Sequence, residues 1–262
     1  MTTDIALPKD WDRSGLPGWT YFSQELFELE CDTLFKTHWQ FVCHVNEAAE
    51  IGAYVTFDLA GERALVIRGH DGILRAFHNL CRHRGSRIVP DARGVCNKAM
   101  VCPYHGWEFN GEGKCVNIPS IGYGKKTPAR AKVDAYPVQE KYGIVFAFLG
   151  DLPEAERPPL WTIEEYDAPD WRPNKLVVFE VDYYYERSIE NALDPAHNEF
   201  VHPAQGAPML PPEQQGAPVP MEDIPWGSKF YLAFPAKKDV NTELNPQKTG
   251  KRIGAAGSWF QG

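Results

Sequence analysis

Two short stretches decide the fold, Cys81-Arg82-His83-Arg84-Gly85-Ser86 and Cys102-Pro103-Tyr104-His105-Gly106-Trp107, with eighteen residues between His83 and Cys102. Each carries one thiol and one imidazole, as Cys-x-His and as Cys-x-x-His. Their surroundings read as β structure. Tyr54 to Phe57, Ala64 to Ile67 and Leu74 to Phe77 are short apolar runs, and Gly69-His70-Asp71-Gly72 separates the last two as a hairpin loop. Asn110-Gly111-Glu112-Gly113 makes a further turn between Trp107-Glu108-Phe109 and Lys114-Cys115-Val116. Gly143 to Leu149 closes the region as another strand, so residues 40–152 are expected to form one small all-β domain.

Outward from this module the pattern changes. Residues 23–39 suit a helix, with Ser23 as N-cap, Glu25 in the first turn, and Phe27, Cys31, Leu34 and Phe35 on one face. Residues 151–173 hold five prolines and many acids, the composition of a solvent-washed connection. Val177 to Tyr185 reads as a strand on which Tyr183, Tyr184 and Tyr185 alternate, with core packing as their role. Residues 186–202 read as an interrupted helix, 203–225, with seven prolines, as an irregular loop, and Lys229 to Phe234 as a strand.

The chemistry follows from the mixed donor pairs. Two thiolates on one iron and two imidazoles on the other are the ligand set of a Rieske [2Fe-2S] centre. Neutral imidazoles in place of two thiolates leave the cluster less negative, which raises its potential and suits it to relaying single electrons. A structural zinc site also accepts Cys2His2 but usually pairs like with like, and fortuitous packing of free Cys and His is the remaining alternative. Gly85 and Gly106 stand where a tight loop must approach a cluster closely. Cys31, Cys43, Cys96 and Cys115 read as structural thiols, and His38, His44, His70 and His78 as core, surface or turn histidines.

A second group lies in residues 190–203, Glu-Asn-Ala-Leu-Asp-Pro-Ala-His-Asn-Glu-Phe-Val-His-Pro. Asp194 before Pro195 is a natural N-cap and N1 pair, so a new helical segment starts there. Five residues along an ideal helix separate His197 and His202 by about 140°. Pro203 disfavours α conformation at His202, so the helix can end and let that side chain turn back. Two imidazoles near a carboxylate begin a 2-His-1-carboxylate Fe(II) site.

Lysine and arginine number 27 against 35 acids, for a net charge of −8 in 262 residues. That disfavours nucleic acid or an anionic membrane as the main partner. The first residues show no basic stretch followed by an apolar one, and the longest dense apolar run, Ile144 to Leu149, falls far short of the roughly 18 residues of a span. A cytoplasmic protein with free or metal-bound cysteines is expected.

The stretches around Cys81 and Cys102 resemble the Rieske domain of the α subunits of Rieske non-heme iron oxygenases. Lys36-Thr37-His38-Trp39 and Tyr136-Pro137-Val138 resemble that family's flanks, and the likeness covers most of residues 20–205. Asn191-Ala192-Leu193-Asp194-Pro195-Ala196-His197 is similar to the branch of pheophorbide a oxygenase and vanillate O-demethylase. The resemblance implies an α+β protein: a helical segment over residues 1–39, the Rieske domain over 40–152, and over 153–262 part of a helix-grip catalytic domain with an antiparallel sheet. It implies Cys81, His83, Cys102 and His105 as cluster ligands and His197 and His202 as ligands of a mononuclear Fe(II). Asp194 would bridge His197 to His105 of a neighbouring subunit, with Asn191 behind it.

The activity implied is that of a terminal oxygenase, which activates O2 for hydroxylation or oxidative demethylation of a small organic, in that family often aromatic, substrate. It is a homotrimer that draws electrons from NAD(P)H through a flavin/iron–sulfur reductase or a ferredoxin. The family's third iron ligand is an acid much further along the chain. Here Glu213, Glu222, Asp223, Asp239 and Glu243 are the acids available, none in the family's context, with Asp239 the first choice. A C-terminally truncated α subunit is the expectation, and the alternative to truncation is a compact variant whose third ligand is water or an unusual acid such as Asp239. A Rieske electron-transfer protein, or an inactive α subunit without its third ligand, is the alternative.

Overall fold

A computed structural model of the chain describes residues 16–163, 166–169, 181–194, 197, 201, 221–224, 227–230, 232–234 and 254–256. Ser23 caps helix α1 (Gln24–Glu30), its hydroxyl accepting from the Leu26 N–H at 3.2 Å. The helix is shorter than residues 23–39. It loosens into a π turn over Cys31–Phe35, where the Thr33 and Thr37 hydroxyls donate back to the Leu29 and Thr33 carbonyls. Such back-bonding competes with regular helical pairing, which a count of apolar positions does not register. Of the expected apolar face, Cys31 is buried but Leu34 is 45% exposed.

The chain then enters β1 (Trp39–His44), β2 (Ala53–Leu59), β3 (Glu62–Arg68), β4 (Leu74–His78), β5 (Arg93–Val95), β6 (Met100–Val101), β7 (Glu108–Phe109), β8 (Cys115–Asn117), β9 (Ala135–Tyr136), β10 (Val138–Lys141) and β11 (Ile144–Phe148). These pair antiparallel in three sheets, ordered β5-β2-β3-β4-β9, β1-β11-β10 and β6-β7-β8. Ala60 and Gly61, at φ 52° and 80°, join β2 to β3 as a two-residue turn of the I′ kind. The turn expected at residues 110–113 forms, with the Asn110 Oδ1 accepting from the Glu112 and Lys114 N–H groups. Strands β9 and β10 had no clear mark in the sequence.

Strand β3 has no solvated face. Successive side chains point to opposite sides of a sheet, and here Leu65 and Ile67 lie on one side and Ala64 and Val66 on the other, none more than 2% exposed. Tyr54 and Phe77 join the first side, which packs with Cys81, Ile88, Cys102 and Phe109. Val55 and Ala76 join the second, which packs with Cys43, Val145 and Ala147. The five-stranded sheet is therefore a middle layer: the Cys–His stretches cover one face, and β1 with β11 covers the other.

Two compact units divide the chain, Met1–Val178 and Phe179–Gly262. Within the first, the proline-rich stretch after residue 151 is largely exposed, as expected, but tied down. Trp39 Nε1 donates to the Pro158 carbonyl at 2.8 Å, and Lys141 Nζ to those of Leu160 and Trp161. The second unit contains helix α2 (Tyr185–Leu193) and two antiparallel strand pairs, β12 (Met221–Ile224) with β13 (Gly227–Phe230) and β14 (Leu232–Phe234) with β15 (Gly254–Ala256).

Helices and antiparallel sheets in separate stretches make the fold α+β. The three tyrosines do not alternate on a strand. Tyr184 stands at the N-cap position of α2, Tyr185 is its first residue, and Tyr183 accepts from the Ser188 hydroxyl. The helix-forming Glu186 and Arg187 that follow outweigh aromatic β preference here. Residues 221–224, expected within a loop, are a strand because β13 supplies their backbone partners. Among the described residues, no helix is long and apolar enough to cross a membrane.

Leu65→Ala, at the centre of both β3 pairings, is expected to cost about 2–5 kcal/mol, whereas Leu34→Ala stays within about 0.5 kcal/mol. Urea denaturation followed by circular dichroism measures both.

Candidate metal centre

One backbone pattern turns both Cys–His stretches. The Cys81 N–H donates to the Ser86 carbonyl at 2.7 Å and the Gly85 N–H to the Cys81 carbonyl at 2.9 Å. The Cys102 N–H likewise donates to the Trp107 carbonyl, and the Gly106 N–H to the Cys102 carbonyl, both at 2.9 Å. Gly85 and Gly106 sit at φ 70° and 67°, a region that side-chain-bearing residues avoid.

The two loops bring the four donors together. Cys81 and Cys102 are 3% and 1% exposed, and their thiols are near enough to influence one another. Burial, opposed by the His83 backbone N–H and reinforced by Cys102, pushes the Cys81 thiol up to about 11. His83 and His105 are both exposed, with their Nδ1 atoms 3.1 Å apart and their rings at 73°. The His83 ring lies parallel to that of Trp107, at 5.2 Å and 4°, and Tyr104 packs on His105 at 4.0 Å. Desolvation, then the charges of His83 and Arg84, hold His105 below the ordinary imidazole range.

This geometry fits the group that the donor set implies. Two imidazole nitrogens each about 2.1 Å from one metal ion, at about 95–109°, stand about 3.1–3.4 Å apart, which matches the Nδ1 pair. Among the described residues, no three Cys, His, Asp or Glu side chains surround one ion position. The donors come as a thiol pair and an imidazole pair, the division a two-iron cluster needs and a single four-donor zinc does not.

Sequence reasoning missed the residue that holds the first loop closed. Asn79 is fully buried. Its Nδ2 donates to the Val89 carbonyl at 2.8 Å, and its Oδ1 accepts from the Ile88 and Val89 N–H groups at 3.0 Å. The signal was available: Phe77, Asn79 and Cys81 alternate, so a polar residue stands at an inward position.

In the second unit, Asp194 ends α2, with its N–H donating to the Glu190 carbonyl, and receives the His197 N–H on Oδ1 at 3.4 Å. It thus closes one helix and caps the next segment. His197 Nδ1 lies within hydrogen-bond distance of the Asp194 carbonyl and 3.6 Å from its Oδ2. Asn191 is exposed near the end of α2. His202, Glu213, Asp239 and Glu243 lie outside the described residues, and Glu222 and Asp223 lie on β12. The remaining histidines with described contacts have structural partners. His44 caps the turn Val45–Ala48, His38 bonds the Leu34 carbonyl, and His78 stacks on Tyr136 at 4.1 Å.

Residues 38–137 match the family model of the Rieske [2Fe-2S] domain. The oxygenase subunit of glycine betaine monooxygenase from Chromohalobacter salexigens is 32% identical over 207 residues, covering 77% of this chain and 46% of that protein. The oxygenase subunit of carnitine monooxygenase from Escherichia coli is 31% identical over 147 residues, covering 52% of this chain and 39% of that one. A crystallised quaternary ammonium Rieske monooxygenase shares the fold at a TM-score of 0.60 and 22% identity, over 83% of this chain and 61% of that one. The chain spans less than half the length of the curated relatives it matches.

Asn79→Ala leaves two buried N–H groups and one carbonyl without partners, so it is expected to cost about 1–3 kcal/mol or more and to speed loss of cluster absorbance under chelator. Because the free Cys81 thiol titrates near 11, ligation below that pH releases its proton. Iron–sulfide reconstitution should therefore strengthen as pH rises from 6.5 to 8.5, and an indicator dye should report acidification.

Proposed function

We propose that this chain, which carries a Rieske domain over residues 38–137 and has relatives among monooxygenase oxygenase subunits, is the terminal oxygenase component of an NAD(P)H-driven system. The observation that carries the reading is the pair of converging Nδ1 atoms on two matched loops, each of which also carries a buried thiol. Cys81 and Cys102 would hold one iron and His83 and His105 the other. His197 and His202, over the candidate domain 153–262, would hold the mononuclear Fe(II). When bound, the cluster supplies single electrons and the mononuclear iron supplies O2 activation.

The chain's own residues set the conditions for this. Burial keeps water from the sulfur side, while the exposed imidazoles give electrons a path at the surface. Trp107 supports the plane of His83, and His105, held below its ordinary range, presents the neutral ring that ligation requires. His197 directs Nδ1 at Asp194, which leaves Nε2 for a metal. Asp194 would orient that ring and, in a cytoplasmic homotrimer, bridge to the partner's cluster ligand, with Asn191 behind it.

Relatives named for glycine betaine and carnitine support monooxygenation of a small organic substrate. The run Asn191 to His197 supports a place near the pheophorbide a oxygenase and vanillate O-demethylase branch. The second reading is a Rieske electron carrier or an α subunit lacking its third ligand, and the match to the Rieske domain, which by itself contains all four cluster donors, supports it.

Iron analysis separates the two: near three irons per chain supports the oxygenase, near two the carrier. Asp194→Asn is expected to retain iron while lowering substrate-stimulated, reductase-dependent O2 uptake about 10–100-fold. Unchanged uptake in that variant would remove Asp194 from its assigned role.

A further inference from the structure

The chain is acidic overall, yet residues 81–132, which contain both Cys–His loops, carry ten Lys and Arg against three Asp and Glu. Four of the ten are paired: Arg82 with Asp134, Arg87 with Asp58, Arg93 with Glu47 and Lys114 with Glu112. Arg84, Lys98, Lys125, Lys126, Arg130 and Lys132 are exposed and form no ion pair among the described residues.

Four of these six lie on one stretch. It begins at Pro119, whose ring lies so close to the second cluster loop that a Cβ on Gly106 would come within 3.2 Å of it. It then returns along β8, the edge of its three-stranded sheet. The Thr127 hydroxyl donates to the Cys115 carbonyl at 2.6 Å, and the Cys115 N–H donates to the Ala131 carbonyl at 2.8 Å. From 119 to 132 the stretch contains no acid, and it exposes Ile121 (46%) and Tyr123 (84%).

Unpaired cations around exposed apolar side chains have the makeup of a protein interface that selects its partner by charge. One-electron transfer falls off steeply with distance, so whatever reduces the cluster must dock close to its loops. We propose that residues 119–132, with Arg84, form the docking surface for the electron donor, and that the donor presents an acidic face around its redox centre. In each encounter the donor loses one electron and the cluster gains one, with no proton or co-reactant required. This rests on the cluster assignment above.

The test uses the cluster-loaded chain and, as probe, a reduced plant-type [2Fe-2S] ferredoxin of acidic surface, whose potential lies below that of Rieske centres. Stopped-flow absorbance follows reduction of the cluster between 20 and 300 mM NaCl. The expected second-order rate falls about tenfold or more across that range, and Lys125→Glu/Lys126→Glu/Arg130→Glu lowers it about tenfold at low salt. Reduction by the small cation methyl viologen, and the visible and electron paramagnetic resonance spectra, should be unchanged in that variant. Arg63→Glu, an exposed reversal on β3 outside the stretch, should be neutral.

A rate indifferent to salt, or lowered equally by both variants, overturns the proposal. So does a triple variant that dissociates an oligomer in sedimentation yet keeps its ferredoxin rate, since the surface then joins copies of this chain. A wild-type chain that shows no Rieske spectrum overturns the cluster assignment instead.

Discussion

A strand buried on both faces leaves its sheet no side for water, and β3 places this constraint on everything around it. Leu65 and Ile67 demand cover on one side, Ala64 and Val66 on the other. Cover on the second side is regular: β1 and β11, far apart in sequence, meet as a paired sheet. Cover on the first side is built from loops and two- to three-residue strands, which have few backbone partners of their own. Those loops must satisfy their polar groups internally, and the closures at Cys81–Ser86 and Cys102–Trp107 do so. The same demand explains why an amide side chain, that of Asn79, sits fully buried among apolar neighbours.

Burial also divides the candidate centre chemically. The Cys81 thiol, pressed against the middle sheet, is kept neutral until a metal takes the proton's place, whereas the imidazoles stand exposed. A centre laid out this way has a dry side that holds charge and a wet side that exchanges it. Charge is distributed unevenly along the chain as well, with the stretch that contains both Cys–His loops rich in cations although the protein as a whole is acidic.

Features carried by local chemistry were legible in the sequence. The hairpin loops at 69–72 and 110–113 declare themselves through Gly, Asn and Asp, β2 to β4 through apolar runs, and the four donors through residue type alone. Features that depend on distant partners were not. Strands β9 and β10 exist because β4 and β11 offer free edges, and nothing in Ala135-Tyr136 or Val138-Gln139-Glu140-Lys141 states that. The end of α1 was hidden by threonines that bond their own helix. Tyr184 and Tyr185 misled because aromatic side chains favour strands only when a neighbouring strand is present. In the second unit, Asp194 was read correctly as a cap, since an Asp-Pro pair acts through its immediate neighbours.

The shared turn of the two cluster loops bears on how such sites are recognised in other chains. Histidine stands two residues after cysteine in one loop and three in the other, yet glycine stands four after cysteine in both, because the backbone closure and not the side chain defines the turn. The histidine can slide along the loop; the glycine cannot. A search pattern anchored on the cysteine-to-glycine interval, with the imidazole allowed either intermediate place, would treat both halves as one motif. It would also admit chains in which evolution has exchanged the two spacings.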